Sequence, residues 1–209
     1  MAHEFYDISR TLSPHIGTWP GDHAFSLQPS FSQQNGDSVN VGVLAMSIHT
    51  GTHIDAPYHF ESQGETCHQL DLSAYWGPAQ IVTVQKEHGP LEVEDLGGID
   101  LKTAARLLLH TSASKLADEE FPTRIVYPSV SMVNSLAAAG VVLLGTDAPS
   151  VDALDDRLLP GHAALYRHGI AILEGLNLSR VPDGLYELCA LPLKIEFGDG
   201  SPVRAVLRR

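Results

Sequence analysis

Three histidines and an aspartate fall within eleven residues in the stretch His49-Thr50-Gly51-Thr52-His53-Ile54-Asp55-Ala56-Pro57-Tyr58-His59-Phe60. Imidazole nitrogen and carboxylate oxygen together make a ligand set for Zn²⁺, with Mn²⁺ and Fe²⁺ as the other ions such a set takes. The spacing of His49 and His53 matches the helical zinc sites of HExxH proteins. The intervening residues reject a helix, because Thr50, Thr52 and Ile54 are β-branched, Gly51 breaks helices and Pro57 excludes one just downstream. In an extended chain His49, His53 and Asp55 share one face, and Gly51 lets the backbone bend so that both imidazoles reach one ion. Burying these groups beside apolar strand residues is costly without a metal or polar partners. Three protein ligands leave a coordination position for water, and a water on such a metal loses its proton near pH ~7, so the chemistry expected is attack by metal-bound hydroxide. His59, past the Pro57 bend, reads either as a further ligand or as a general acid/base.

The elements that must position these groups follow from periodicity. Val39, Val41, Val43 and Ala45 alternate with residues of the opposite face, a strand leading into His49. Residues 79–84 (AQIVTV) read as another strand. Residues 129–139 read as a helix with Gly140 just past its end, followed by a buried strand over 141–144. A further helix lies within 158–167, closed by Gly169 and followed by a strand over 170–174. Residues 186–195 and 202–207 read as two antiparallel strands joined by Gly198-Asp199-Gly200. No repeat, low-complexity tract or long linker divides the chain. The expectation is an α/β fold, one domain over 1–209, with a mixed β-sheet and flanking helices.

The 209 residues are enough for one domain with a sizeable core. A formal charge of −12 argues against a nucleic-acid binder, which needs Lys and Arg to displace counterions, and against anionic membrane surfaces; it favours divalent cations. No apolar run is long enough for a transmembrane helix, and the acid-bearing N-terminus does not read as a secretory signal. Cys67 and Cys189 form no CxxC pair and are expected as reduced thiols in a cytoplasmic protein.

The histidine block resembles the HxGTHxDxPxHF signature of the metal-dependent hydrolases of the cyclase family. The likeness extends over Tyr6-Asp7-Ile8-Ser9, Thr18-Trp19-Pro20-Gly21-Asp22, residues 145–150 (GTDAPS), Gly161-His162, Ile172-Leu173-Glu174-Gly175 and residues 201–207 (SPVRAVL). Within the family it is similar to the bacterial arylformamidases, the kynurenine formamidases. The resemblance implies a swivelling β/β/α-like fold and a two-metal site, usually zinc. It implies that His49, His53 and Asp55 hold the first ion, that Asp55 bridges to a second held by His162, and that Glu174 also bridges. It makes His59 the proton donor and acceptor and places Trp19 in the substrate pocket. The implied reaction is hydrolysis of N-formyl-L-kynurenine to L-kynurenine and formate in tryptophan degradation, by a homodimer. Without the resemblance, Glu174 reads as a solvated carboxylate and Trp19 as a turn-anchored core aromatic.

Other polar residues carry less. Asp147 reads as a group supporting the site from behind or as a helix N-cap. His3, His15, His23, His68, His88, His110 and His168 read as surface or locally bonded. No G-x-S-x-G surrounds Ser9, Ser47 or Ser150, which disfavours a serine-triad hydrolase. Two alternatives stand beside the formamidase reading: a sister hydrolase of the same fold, such as one opening isatin, and a metal-binding module without chemistry.

Overall fold

The computed structural model describes residues 4–209, so the expectations placed on residues 1–3, His3 among them, lie outside the described residues. The strands in chain order are β1 (Phe5–Asp7), β2 (Ser26–Phe31), β3 (Val41–Ala45), β4 (His53–Asp55), β5 (Trp76–Thr83), β6 (Gly89–Leu91) and β7 (Arg106–His110). They continue with β8 (Val126–Pro128), β9 (Leu143–Thr146), β10 (Ala171–Glu174), β11 (Gly184–Cys189), β12 (Gly200–Pro202) and β13 (Val206–Arg208). Helices α1 (Val130–Ala139) and α2 (Pro160–Arg167) follow β8 and β9. Nine strands make one mixed sheet in the order β1-β13-β11-β5-β7-β9-β10-β4-β12. Its centre, β5 to β10, is parallel, and both flanks are antiparallel. This is the mixed α/β architecture read from the sequence.

Period-two alternation decides the layering. In β7, Leu107 and Leu109 enter one core and Leu108 the other, as a strand covered on both faces requires. On the first side, Met132, Val133 and Leu136 of α1 and Leu165 of α2 pack over Leu107, Leu109 and Leu144. The second core joins Ile81, Leu188 and Leu207 from one end of the sheet to Ile54 and Leu173 from the other, so the sheet curls around it. Helix α1 has the expected ends: the Ser129 hydroxyl accepts the Met132 N–H at 3.0 Å, and Gly140 terminates it in the left-handed region.

Two elements differ from their sequence reading. The alternation read over 39–45 forms β3 at Val41–Ala45, and β3 pairs with β2 in a two-stranded ribbon whose Leu27, Phe31, Val43 and Leu44 are all exposed. Alternation there marks a strand without marking a buried face. At the C-terminus β11 and β13 pair antiparallel, yet Gly198-Asp199-Gly200 does not join them. The strand stops at Cys189, short of Pro192, which has no N–H to extend a ladder. The chain then crosses to the opposite end of the sheet, where β12 pairs with β4 in the register Gly200↔Asp55 and Pro202↔His53.

Leu108, fully buried at the sheet centre, tests this layering. Leu108→Ala is expected to lower the unfolding free energy by about 2–5 kcal/mol in denaturant titration, and a loss below about 1 kcal/mol would contradict the assigned packing.

Candidate metal centre

Strand β4 brings the site together because β10 and β12 flank it. The β4–β10 register sets His53 opposite Glu174, and paired residues of neighbouring strands share a face. His53, Asp55 and Glu174 therefore project from one side, while Ile54 and Leu173 enter the core on the other. Between His49 and His53 the chain turns at Gly51, which has φ +70°. Gly175, at φ +65°, approaches so closely that a Cβ on it would lie 2.1 Å from the Gly51 carbonyl oxygen. The Thr52 hydroxyl closes this contact by donating to the Gly175 carbonyl at 2.6 Å. His162 arrives at the first turn of α2, where the Asp152 carboxylate accepts the Gly161 and His162 N–H groups at 2.6 and 3.0 Å. Asp152 thus satisfies helix N-terminal donors while holding the His162 ring.

The three imidazoles obey one pattern. His49 Nδ1 lies 2.9 Å from Asp55 Oδ1, and its Nε2 lies 3.0 Å from Asp199 Oδ2. His53 Nε2 lies 3.5 Å from Asp55 Oδ1 and 3.4 Å from Glu174 Oε2, and its Nδ1 lies 3.1 Å from the Gly51 carbonyl. His162 Nε2 lies 3.3 Å from Asp55 Oδ2, and its Nδ1 lies 2.7 Å from Asp152 Oδ2. One nitrogen of each ring faces the carboxylates, and the other is anchored outside, which is how histidine ligands are oriented in metal sites. Asp55 Oδ2 is buried without a hydrogen-bond partner. Ligand atoms of His53, Asp55 and Glu174 lie within 4.8 Å of one another, as do those of His49, Asp55 and His59. This donor set fits a divalent cation.

Electrostatics point the same way. Burial opposes ionisation of Asp55, but the facing imidazoles of His162, His49 and His53 hold its carboxyl well below the usual carboxylate range. Burial and the neighbouring Asp55 charge raise the Glu174 carboxyl, against the opposing pull of His53 and His162. Burial works to depress the His53 pKa, yet Asp55 and Glu174 override it and push it up to about 10. His162 is pushed up to about 10 by Asp152 and Asp55, again against burial. The carboxylates demand positive charge at this place.

A cavity of about 730 Å³ opens onto the cluster, within the size range of small-molecule sites. Trp19, His49, His53, His59, Phe121 and Glu174 line it, and Trp19 packs edge-on against Phe121 at 5.5 Å. Each of the site residues singled out in the sequence, His49, His53, Asp55, His59, His162, Glu174 and Trp19, is thus placed in the cluster or on the wall of this cavity. Glu174 is buried, unlike the solvated carboxylate its position alone suggests. Asp147 caps no α-helix; its carboxylate accepts from the Thr111 N–H, the Thr111 hydroxyl and the Ser114 N–H. His23, read as ordinary, also lines the cavity. Asp152 and Asp199 escape the sequence reading, since neither stands at a fixed spacing from the ring it holds.

The family model described as cyclase matches residues 6–153. The chain belongs to the cyclase family. The kynurenine formamidase of Bacillus cereus is 48% identical over 205 residues, 98% of this chain and 97% of that protein. Among solved structures, one described as a potential metal-dependent hydrolase with cyclase activity superposes with a TM-score of 0.85 at 25% identity, covering 99% of this chain and 98% of its own. Isatin hydrolase A from Labrenzia aggregata shares the fold, with a TM-score of 0.82 at 23% identity over 99% of this chain and 93% of its own. The cyclase-family match ends at residue 153, before His162 and Glu174, so the geometry above is what joins those two residues to the histidine block.

Asp152 gives the test of the anchoring pattern. Asp152→Ala is expected to weaken zinc affinity about 10–100-fold in a chelator competition titration, and an unchanged affinity would remove Asp152 from the support of the site.

Proposed function

We propose that this chain, acting as a single domain, is a metal-dependent arylformamidase that hydrolyses N-formyl-L-kynurenine to L-kynurenine and formate in tryptophan degradation. The observation that carries the reading is the set of three imidazoles, each with one nitrogen on the Asp55–Glu174 pair and the other on a fixed acceptor. The name and near full-length similarity of the Bacillus cereus relative supply the substrate. His49, His53 and Asp55 would hold one divalent ion and His162 a second, with the Asp55 and Glu174 carboxylates serving both. Zinc suits this nitrogen and oxygen set, and Mn²⁺ is the other candidate. When bound, the ions supply an acidified water and positive charge for the oxygen of the formyl group.

The chain's own groups supply the rest. Trp19 and Phe121 offer an aromatic wall for the aryl ring of the substrate. His59 lies at the cavity with Nδ1 turned to Asp199, which leaves Nε2 for proton transfer. It takes a proton from the attacking water and delivers it to the aryl nitrogen as the C–N bond breaks. The nitrogen is a poor leaving group until protonated, so this delivery controls the rate. A second copy of the chain covers the exposed apolar residues of the β2–β3 ribbon in a homodimer. Among the described residues no helix is long and apolar enough to cross a membrane, and a cytoplasmic location suits the reaction.

Chelation is expected to abolish hydrolysis and added zinc to restore it. His59→Ala is expected to lower kcat about 10²–10⁴-fold with metal content unchanged, and intact turnover would remove the acid/base role. Trp19→Ala is expected to raise KM for the aryl substrate, and an unchanged kcat/KM takes Trp19 out of the pocket. A panel comparing N-formyl-L-kynurenine with isatin decides the substrate: faster opening of isatin would overturn the formamidase assignment.

A further inference from the structure

We propose that Asp199 is the positioning residue for His59, fixing the imidazole through Nδ1 so that Nε2 faces the reacting amide. This rests on the proton-transfer role of His59 given above. Asp199 Oδ2 lies 3.5 Å from His59 Nδ1 and 3.0 Å from His49 Nε2, so one oxygen stands between the two rings. Among the described residues no other carboxylate comes within 4.0 Å of a His59 ring nitrogen. The 3.5 Å separation is long for a closed hydrogen bond, as acid/base contacts often are before substrate tightens them.

His59 needs such a partner because packing alone does not fix it. Its side chain is about one-third exposed at the end of a short 3₁₀ turn, Pro57–His59. The His49 ring lies against one face, with centroids 4.1 Å apart and planes tilted by 37°. Stacking of that kind fixes the ring plane but not which nitrogen carries the proton. An anionic acceptor at Nδ1 sets the tautomer and steadies the imidazolium formed during transfer.

The backbone is built to deliver this carboxylate. The Asp199 carbonyl accepts the Ala56 N–H at 2.9 Å, and the Gly198 carbonyl accepts the Cys67 N–H at 2.8 Å. Gly200 cannot carry a side chain, since a Cβ would lie 2.8 Å from His49 Cε1 and 2.7 Å from the Ile54 carbonyl oxygen. Two non-glycine residues have positive φ among the described residues, Leu159 at 48° and Phe197 at 59°. Leu159 precedes the helix that delivers His162; Phe197 stands two residues before Asp199. Such conformations persist where the surroundings over-determine them. Strain is therefore held on the approaches to a metal-facing histidine and to Asp199.

The test measures Asp199→Ala, Asp199→Asn, His59→Ala and the double Ala variant on zinc-loaded protein. At saturating zinc, since the same oxygen also anchors His49, Asp199→Ala is expected to keep its fold by circular dichroism, to lower kcat on N-formyl-L-kynurenine at least about tenfold, and to leave KM within about twofold. Added to His59→Ala it is expected to cost nothing further, because it acts through that ring. Asp199→Asn keeps an acceptor oxygen and is expected to recover part of the rate. Imidazole ¹H–¹⁵N spectra give a readout free of activity: His59 carries its proton on Nδ1 in the wild type and mixes tautomers in Asp199→Ala. An undiminished further loss in the His59→Ala background would overturn the proposal. So would a rate restored to wild type by excess zinc, which would place the whole effect on His49, or an unaltered His59 spectrum. A wild type inactive on N-formyl-L-kynurenine, with the His59 tautomer still set by Asp199, removes the substrate reading alone and leaves the pairing standing.

Discussion

Asp55 and Glu174 are buried side by side, with ligand atoms within 4.8 Å of each other, and no water shell to share their charge. Two like charges at that separation repel by about 3 kcal/mol at an effective dielectric near ~20, before either pays for leaving water. Such a pair persists in a folded protein only where one carboxyl keeps its proton or positive charge is supplied on the spot. Three imidazoles face it, and the pKa values of His53 and His162 are driven up as the carboxylates recruit protons. A divalent cation answers the same demand with more charge and with ligand geometry that the rings already present.

The surrounding structure follows from that constraint. The carboxylates must come from neighbouring strands on the same face, which the β4–β10 register provides. Strand β4 is three residues long, so its position depends on partners at both edges, and β12 supplies the second edge. The glycine approach at Gly51 and Gly175 sets how close the two strand ends come. Outside the cluster, Asp152, Asp199 and the Gly51 carbonyl fix the far nitrogens of the rings, so that the near nitrogens have a defined direction. Much of the fold at this end of the sheet therefore serves orientation more than burial of apolar surface.

Legibility in the sequence tracks the range of the interaction. The His49–Asp55 block declares itself because its imidazoles and carboxylate are a few residues apart and its β-branched residues dictate an extended chain. Helix α1 declares itself through Ser129 and Gly140, whose effects are local. His162 and Glu174 join the histidine block only when β10 and α2 pack against β4, and no spacing within the chain encodes that; family likeness alone points to them. Asp199 was hidden for a different reason. Gly-Asp-Gly is a turn signal, and the pairing of β12 with β4 instead of a hairpin partner depends on where the chain after Cys189 can go. The β2–β3 ribbon shows the converse, since its alternation is plain while its apolar residues stand exposed.

The central claim is that the Asp55 carboxylate is shared between two divalent ions. Elemental analysis of the purified wild type and of Asp55→Ala, each loaded with zinc and freed of excess, measures this most directly. The account predicts two ions per chain in the wild type and loss of both in the variant, with the fold intact by circular dichroism. A variant that keeps two ions per chain would contradict it.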